Sequence, residues 1–228
     1  MVFSSPVFLF IFLTTVYILY RIIPSVSIKN TILLIFSLLF YTYGEPKAII
    51  LMIISIVMNY LFGLSMKKEN KSRKICLFFS IVLNLTMLGI FKYAGFGTEM
   101  LNALFSANMA IPHIALPIGI SFYTFQAMSY VIDAYKSPDY IQKNIFKVAL
   151  YITFFPQLVA GPIVKYSDFA HQIDNRTITP QMTAEGIKRF ITGLSKKLLI
   201  ANTMAYAADY VYTLDTTELS IPLAWLGA

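Results

Sequence analysis

The first 91 residues alternate between long apolar stretches and short polar segments. The apolar stretches cover residues 2–20, 28–43, 48–66 and 75–91, and Lys29 is the only charged residue within them. About 20 apolar helical residues cross the hydrocarbon core of a bilayer, because a helix rises about 1.5 Å per residue. The pattern therefore predicts four membrane-spanning helices, of which 28–43 is short and needs help from its flanking residues.

The composition agrees with a bilayer as solvent for much of the chain. Hydrophobic residues make up 57% of the sequence and charged residues 13%, whereas a soluble domain averages about 25% charged residues. The mean hydropathy is +0.69. We therefore expect an all-α polytopic membrane protein with a single membrane domain over residues 1–228.

Cysteine and histidine usage argues against metal and disulfide chemistry. Cys76 is the single cysteine, which excludes an intramolecular disulfide and a cysteine-based metal cluster. The two histidines are too few for a histidine-rich site, so we assign no metal ligands. We interpret the net charge of +7 as the cytoplasmic bias of membrane proteins and expect no nucleic-acid partner.

The charge run Lys67–Lys74 sets the predicted topology. It contains five cations and one acid, and such loops face the cytoplasm. Arg21–Lys29 is then also cytoplasmic, while Gly44–Lys47 and the N-terminus face outside. No positively charged segment precedes the stretch 2–20 and no small-residue cleavage pattern follows it, so we interpret it as a retained span and not as a signal peptide.

Residues 116–135 form a fifth predicted span with an unusual polar face. Tyr123, Gln126, Tyr130 and Asp133 follow at intervals of three, four and three residues, so they share one side of a helix. That face must point at protein or water because lipid offers polar side chains no partners. It can be a hydrogen-bonded stripe between helices or the lining of a cavity, and Asp133 can also be an ordinary acid at the membrane interface.

The sixth apolar stretch, 145–160, is interrupted near its end. Pro156 removes a backbone donor and crowds the carbonyl of Ile152, and Gly161-Pro162 follows. The sequence leaves open whether this stretch crosses the membrane or re-enters it. A helix interrupted in this way is typical of backbone that lines a cavity.

Residues 180–201 are predicted to form a basic amphipathic helix at the membrane interface. Thr179 is a suitable N-cap, and Pro180 suits the first helical position. Lys188, Arg189, Lys196 and Lys197 can dock on anionic headgroups or attract the phosphates of a cytosolic cofactor. Ile221 begins another apolar run that no cap or polar tail ends, so we expect the chain to be the N-terminal part of a longer protein.

Four strings of the sequence carry a specific resemblance. They are LGIFKYAGF (88–96), LPIGISFYTFQAMSYVIDAYK (116–136), FFPQLVAGPIVKYSDF (154–169) and GLSKKLLIANTMAYAADYVY (193–212). In this order they resemble the membrane-bound O-acyltransferase family, most strongly its alginate O-acetyltransferase-like bacterial branch, although any one string alone would be weak.

The resemblance implies a helical bundle with broken or re-entrant helices around a tunnel in the bacterial plasma membrane. It also implies the transfer of an acyl group, expected to be acetyl, from a cytosolic thioester such as acetyl-CoA to hydroxyls of an exported polysaccharide. The donor is a substrate, and no bound cofactor is expected. An extracytoplasmic acetyl-transfer protein is the expected partner. The candidate tunnel-lining residues are Tyr123, Gln126, Asp133, Gln157, Lys165, Tyr166 and Asp168.

The chain departs from the family at the catalytic base. The essential histidine of the family belongs to a later part of the protein, after residue 228, and neither His113 nor His171 stands in the matching motif. We therefore assign no catalytic residue and expect this length of chain to be inactive alone. A transporter or flippase-like carrier and a catalytically dead remnant are the alternatives, although no inverted repeat favours a carrier.

The predicted topology can be tested by cysteine labelling in intact cells. We expect a cysteine at Asn70, in a background without other cysteines, to resist a membrane-impermeant maleimide because the Lys67–Lys74 run is predicted to be cytoplasmic. A cysteine at Lys47 should react under the same conditions. Labelling at position 70 in sealed cells would reject the topology.

Overall fold

The computed structural model describes residues 3–67, 72–106, 109–112, 114–159, 161–215 and 219–227, and every regular element among them is helical. The all-α prediction is therefore confirmed for these residues. The α-helices are α1 (Thr14–Ile22), α2 (Val26–Gly44), α3 (Ile49–Ser65), α4 (Ser72–Phe105), α5 (Ile120–Lys136), α6 (Ile145–Thr153), α7 (Phe155–Leu158), α8 (Tyr166–Asp174), α9 (Pro180–Ser195), α10 (Asn202–Thr213) and α11 (Ile221–Gly227). Two π-helical segments, Val7–Leu13 and Lys196–Ala201, and a 3₁₀ turn, Pro138–Tyr140, complete the list.

Two of the described helices are both long and apolar enough to cross a membrane. They are α2 and α4, while Val7–Ile22 and α3 are apolar but shorter. The largest difference from the predicted spans is in α4, which continues to Phe105, whereas the fourth predicted span ended at Phe91. No proline interrupts the chain between these positions, and Gly95 and Gly97 lie within the helix without ending it.

The contacts divide the chain into two compact units. The first consists mainly of Phe10–Arg176, and the second of the described residues within Val2–Leu9 and Thr177–Ala228. In the first unit α5 packs against α3, α4, α6 and α8. Its apolar side chains join a buried core with residues of these neighbours; the α5 members are Ile120, Tyr123, Ala127, Tyr130, Val131 and Ala134.

Glycine allows α3 and α5 to approach closely. A Cβ atom on Gly63 would overlap the hydroxyl oxygen of Tyr130, and Tyr130 is fully buried.

Gly119 has a different role, at the start of α5. Its φ of +78° is left-handed, and a Cβ atom there would lie 2.9 Å from the carbonyl oxygen of Leu158. Glycine adopts this conformation without the steric cost that other residues incur.

A pair of asparagines joins α3 to α4 inside the apolar bundle. Asn84 Nδ2 donates to Asn59 Oδ1 at 2.8 Å, and Asn59 Nδ2 donates to Asn84 Oδ1 at 3.1 Å. Both side chains are completely buried. Each amide also donates to a backbone carbonyl one turn earlier, that of Ser55 or Ser80. Because each amide satisfies the other, the pair fixes the register between the two helices without an exposed polar group.

The second unit contains the predicted amphipathic helix. Thr179 accepts a hydrogen bond from the backbone N–H of Met182, as an N-cap should, and Pro180 is the first residue of α9. Lys196–Ala201 continues the helix in π-helical form, and α10 packs against α11. The cations Lys188, Arg189 and Lys196 are exposed.

The asparagine pair can be tested by a double-mutant cycle in the full-length protein. Asn59→Leu or Asn84→Leu should lower the free energy of unfolding by about 1–3 kcal/mol, because each leaves one buried amide without its cross-helix partner. The double variant should be less destabilised than the sum, with a coupling of about 0.6–1.7 kcal/mol. Thermal unfolding in detergent measures both.

Asn175→Leu is the matched control because Asn175 is exposed. Its effect should stay within about 0.5 kcal/mol. Strict additivity of Asn59→Leu and Asn84→Leu would contradict the reciprocal hydrogen bonds.

Candidate functional site

The predicted interruption near Pro156 separates α6 from α7 at Phe154. Pro156 has no N–H to donate to the carbonyl of Ile152. The N–H of Phe155 donates instead to Ser37 Oγ of α2 at 3.2 Å, and Gln157 Nε2 donates to the carbonyl of Tyr151 at 2.9 Å. Two side chains therefore replace hydrogen bonds that a continuous helix would make.

Side chains of α5 cap the beginning of α8. The backbone N–H of Tyr166 donates to Ser129 Oγ at 3.2 Å, and that of Ser167 donates to Asp133 Oδ2 at 3.0 Å. The Lys136 ammonium lies 3.9 Å from the other oxygen of Asp133. The first N–H groups of a helix lack partners within it and carry partial positive charge. Asp133 therefore stabilises α8 at its N-terminus and fixes it to α5.

Three tyrosines pack edge to face between α5, α6 and α8. The Tyr166 ring centroid lies 4.8 Å from that of Tyr130 and 5.1 Å from that of Tyr151. Tyr151 donates its hydroxyl to the carbonyl of Val164 at 2.7 Å. Burial raises the pKa of Tyr166 to about 12, so its phenol is neutral at physiological pH and can donate a hydrogen bond.

A second group of buried polar atoms has no hydrogen-bond partner among the described residues. It comprises both amide atoms of Gln126, the hydroxyls of Tyr123 and Thr124 on α5, and the hydroxyl of Tyr41 on α2. Gln126 and Tyr123 are completely buried, and the Tyr41 and Tyr123 rings lie edge to face at 6.3 Å. Buried amides and hydroxyls are costly without partners. These groups therefore differ from the capping residues Ser129 and Asp133, whose oxygens accept hydrogen bonds from α8.

A cavity of about 470 Å³ lies within the first unit. Gln157 and Asp168 line it, whereas the other five predicted residues, Tyr123, Gln126, Asp133, Lys165 and Tyr166, do not. Tyr123, Gln126, Asp133 and Tyr166 are buried in the bundle, and Lys165 is exposed. The complete lining of the cavity is Tyr20, Leu33, Leu150, Phe154, Gln157, Val164, Asp168, Phe169, Gln172, Ile173 and Arg176.

Sequence reasoning did not single out Tyr20, Arg176, Ser37 or Ser129. Ser129 precedes Asp133 by four residues and so lies one turn before it, which is a signal that the spacing offered. Tyr20 and Arg176 are 156 residues apart, and no local pattern links them. The asparagines of α3 and α4 did carry a signal, since each is a lone amide in an otherwise apolar stretch.

His171 is the histidine that the structure describes. It is exposed, and its ring packs edge to face on Tyr140 at 6.4 Å. His113 and half of the predicted cytoplasmic run, residues 68–71, lie outside the described residues. Within the described ranges no three histidine, cysteine, aspartate or glutamate side chains converge on a metal site.

Comparison with known proteins identifies relatives of this chain. The model of the membrane-bound O-acyltransferase family matches residues 35–226, which confirms the resemblance. A probable alginate O-acetylase of Pseudomonas aeruginosa is 38% identical over 235 residues, which is 100% of this chain and 45% of that protein. The corresponding protein of Azotobacter vinelandii is also 38% identical over 235 residues, again 100% of this chain and 46% of the relative.

A peptidoglycan O-acetyltransferase of Helicobacter pylori is a more distant relative. It is 30% identical over 260 residues, covering 99% of this chain and 49% of that protein. The chain thus spans about half the length of the curated relatives that it matches. No solved structure matches the chain.

Replacing Asp133 tests the cap on α8. Asp133→Leu should lower the free energy of unfolding by about 1–2 kcal/mol, as loss of an N-cap does, and should speed hydrogen exchange in residues 166–174. Asp133→Asn keeps an oxygen acceptor and should have a smaller effect. Hydrogen exchange with mass spectrometry on the full-length protein measures this local change.

Asp209→Leu is the control, because Asp209 is an exposed acid on α10. It should leave exchange in residues 166–174 unchanged. Equal protection of α8 in the wild type and in Asp133→Leu would show that Asp133 does not hold this helix.

Proposed function

This chain belongs to the membrane-bound O-acyltransferase family, and we propose that it forms part of a membrane enzyme that acylates the hydroxyls of an exported polysaccharide. The family match over residues 35–226 carries this proposal. The names of the relatives support the substrate class, because they describe O-acetylation of alginate and of peptidoglycan. Both names specify O-acetylation, so we propose acetyl as the group transferred.

In the proposed arrangement the chain is a multi-pass protein of a bacterial plasma membrane. Support comes from the length of α2 and α4, the shorter apolar helices Val7–Ile22 and α3, and the charge run Lys67–Lys74. Exposed isoleucine, leucine and phenylalanine side chains cover the outer surfaces of these helices, as expected where lipid is the solvent. The N-terminus then faces outside and the segment Arg21–Lys29 faces the cytoplasm.

Acetyl-CoA is the proposed donor and the polysaccharide hydroxyl is the acceptor. The hydroxyl oxygen forms the new ester bond, the thioester C–S bond breaks, and the proton of the hydroxyl is passed on to the departing thiolate. A general base must carry that proton. By the family resemblance this base is a histidine that follows residue 228, and holding donor and acceptor together across the membrane supplies much of the rate.

Within this chain we propose that the face of α5 carrying Tyr123 and Gln126 forms part of the tunnel wall. Their polar atoms are buried without partners among the described residues, and the relatives are about twice as long as this chain. The remaining part of the protein, or the substrate itself, would then supply the hydrogen bonds. Asp133, Ser129, Ser37 and Gln157 act differently, since they hold α6 and α8 in place.

The reaction can be tested in inverted membrane vesicles that contain the full-length protein. With acetyl-CoA carrying a labelled acetyl group on the cytoplasmic face, we expect labelled O-acetyl esters on alginate or on peptidoglycan, and no label in vesicles that lack the protein. An extracytoplasmic acetyl-transfer partner, which we also propose, is added in a parallel reaction. Absence of ester in every one of these reactions would reject the proposal.

Gln126→Leu separates a tunnel-lining role from a packing role. An unpartnered buried amide costs stability, so the variant should unfold at the same temperature as the wild type or above it. Its acyl-transfer rate should fall by about tenfold or more, the effect of one hydrogen bond of about 1.4 kcal/mol to the reacting system. Phe125→Leu, on an exposed face of α5, should keep the wild-type rate. Parallel loss of activity and abundance in Gln126→Leu would assign the residue to packing.

A further inference from the structure

The cavity between α1, α2, α6 and α8 is apolar along its length and cationic at one end. Six of its eleven lining residues are apolar, namely Leu33, Leu150, Phe154, Val164, Phe169 and Ile173. Its volume of about 470 Å³ falls within the range of small-molecule sites. The polar lining groups come from Tyr20, Gln157, Asp168, Gln172 and Arg176.

Arg176 has one guanidinium nitrogen left for a ligand. Nε donates to the Tyr20 hydroxyl at 2.6 Å, and Nη1 donates to the carbonyls of Gln172 and Ile173 at the end of α8. Nη2 is buried and has no partner among the described residues. The donor set of a guanidinium matches phosphate and carboxylate oxygens, so a further acceptor at Nη2 would have to be an anion or a strong dipole.

A second cation lies beside Tyr20, although it does not line the cavity. The Lys29 ammonium lies 4.8 Å from the centre of the Tyr20 ring, and the Arg176 guanidinium carbon lies 5.4 Å from it. Neither cation belongs to the ion pairs that the described residues form, which join Lys136 to Asp133 and Lys147 to Asp174. Among the described residues, no acid therefore lies within ion-pair distance of Lys29 or Arg176.

Asp168 is the acid among the lining residues, and it lies at the opposite end of α8 from Arg176. It occupies the first turn of α8, whereas Arg176 follows the last turn. Asp174 is the last residue of α8 and lies six positions after Asp168, which corresponds to a rise of about 9 Å along the helix axis. An anion at Arg176 is thus kept away from this carboxylate, while an apolar chain can extend from it along the leucine and phenylalanine walls.

We propose that this cavity binds an anionic phospholipid, with its phosphate on Arg176 and one acyl chain among the apolar side chains that line the cavity. The segment Arg21–Lys29 is predicted at the cytoplasmic interface, where such headgroups lie. Tyrosine is common at that depth because its ring is apolar and its hydroxyl is polar. Charge and apolarity together select a lipid over a free phosphate, which would leave the apolar walls uncovered.

Native mass spectrometry of the full-length protein in detergent tests this site. Palmitoyl-oleoyl phosphatidylglycerol should bind more tightly than palmitoyl-oleoyl phosphatidylcholine, and inorganic phosphate should not displace it. Arg176→Gln should weaken phosphatidylglycerol binding by about tenfold, the usual effect of losing a charge-assisted hydrogen bond. Arg21→Gln, an equal loss of charge at an exposed position, should leave binding unchanged.

Leu33→Trp keeps Arg176 and fills the apolar part of the cavity. Leu33→Trp should also weaken phosphatidylglycerol binding, with no loss of thermal stability. If Arg176→Gln does not fold, the Leu33→Trp result tests the lipid site in its place. Binding that is equal for the two lipids, insensitive to Leu33→Trp, or displaced by inorganic phosphate would overturn the proposal. The readout is bound lipid, so the result does not depend on acyl transfer.

Discussion

The fold depends on hydrogen bonds to helix ends that lie inside the protein. The N-terminus of α8 and the break between α6 and α7 expose backbone groups that no intrahelical partner can satisfy. Ser129 and Asp133 of α5 accept from α8, and Ser37 of α2 accepts from the N–H of Phe155. Since unpaired backbone groups are costly in an apolar setting, these side chains determine where the short helices can lie.

The same contacts shape the cavity. α8 contributes Asp168, Phe169, Gln172 and Ile173 to its lining, with Arg176 directly after the helix, and α5 holds the beginning of that helix through Asp133. The asparagine pair fixes α3 to α4, and both of these helices pack against α5. α5 thus contacts a helix pair whose register is set by buried amides and also caps the helix that forms part of the cavity wall.

Buried polar groups in this bundle fall into two kinds with different meanings. Asn59, Asn84 and Asp133 are satisfied by protein groups, so stability alone explains them. Tyr123 and Gln126 are buried without such partners, and stability alone would replace them with leucine or phenylalanine. Since the chain belongs to an acyltransferase family, Tyr123 and Gln126 are the α5 residues for which we propose contact with substrate.

The helical class and the break near Pro156 could be predicted from the amino-acid sequence, because hydrophobic periodicity and proline chemistry act locally. The sequence also determined the family, through four strings whose order is specific. It placed Tyr123, Gln126 and Asp133 on one helix face, and left open whether that face bonds to protein or lines a cavity. The tertiary structure shows that their surroundings differ. Asp133 accepts a hydrogen bond from the beginning of α8, whereas the Gln126 amide has no partner among the described residues. The tertiary structure alone brought Tyr20 and Arg176 together, since contacts between distant segments depend on packing that no local pattern encodes.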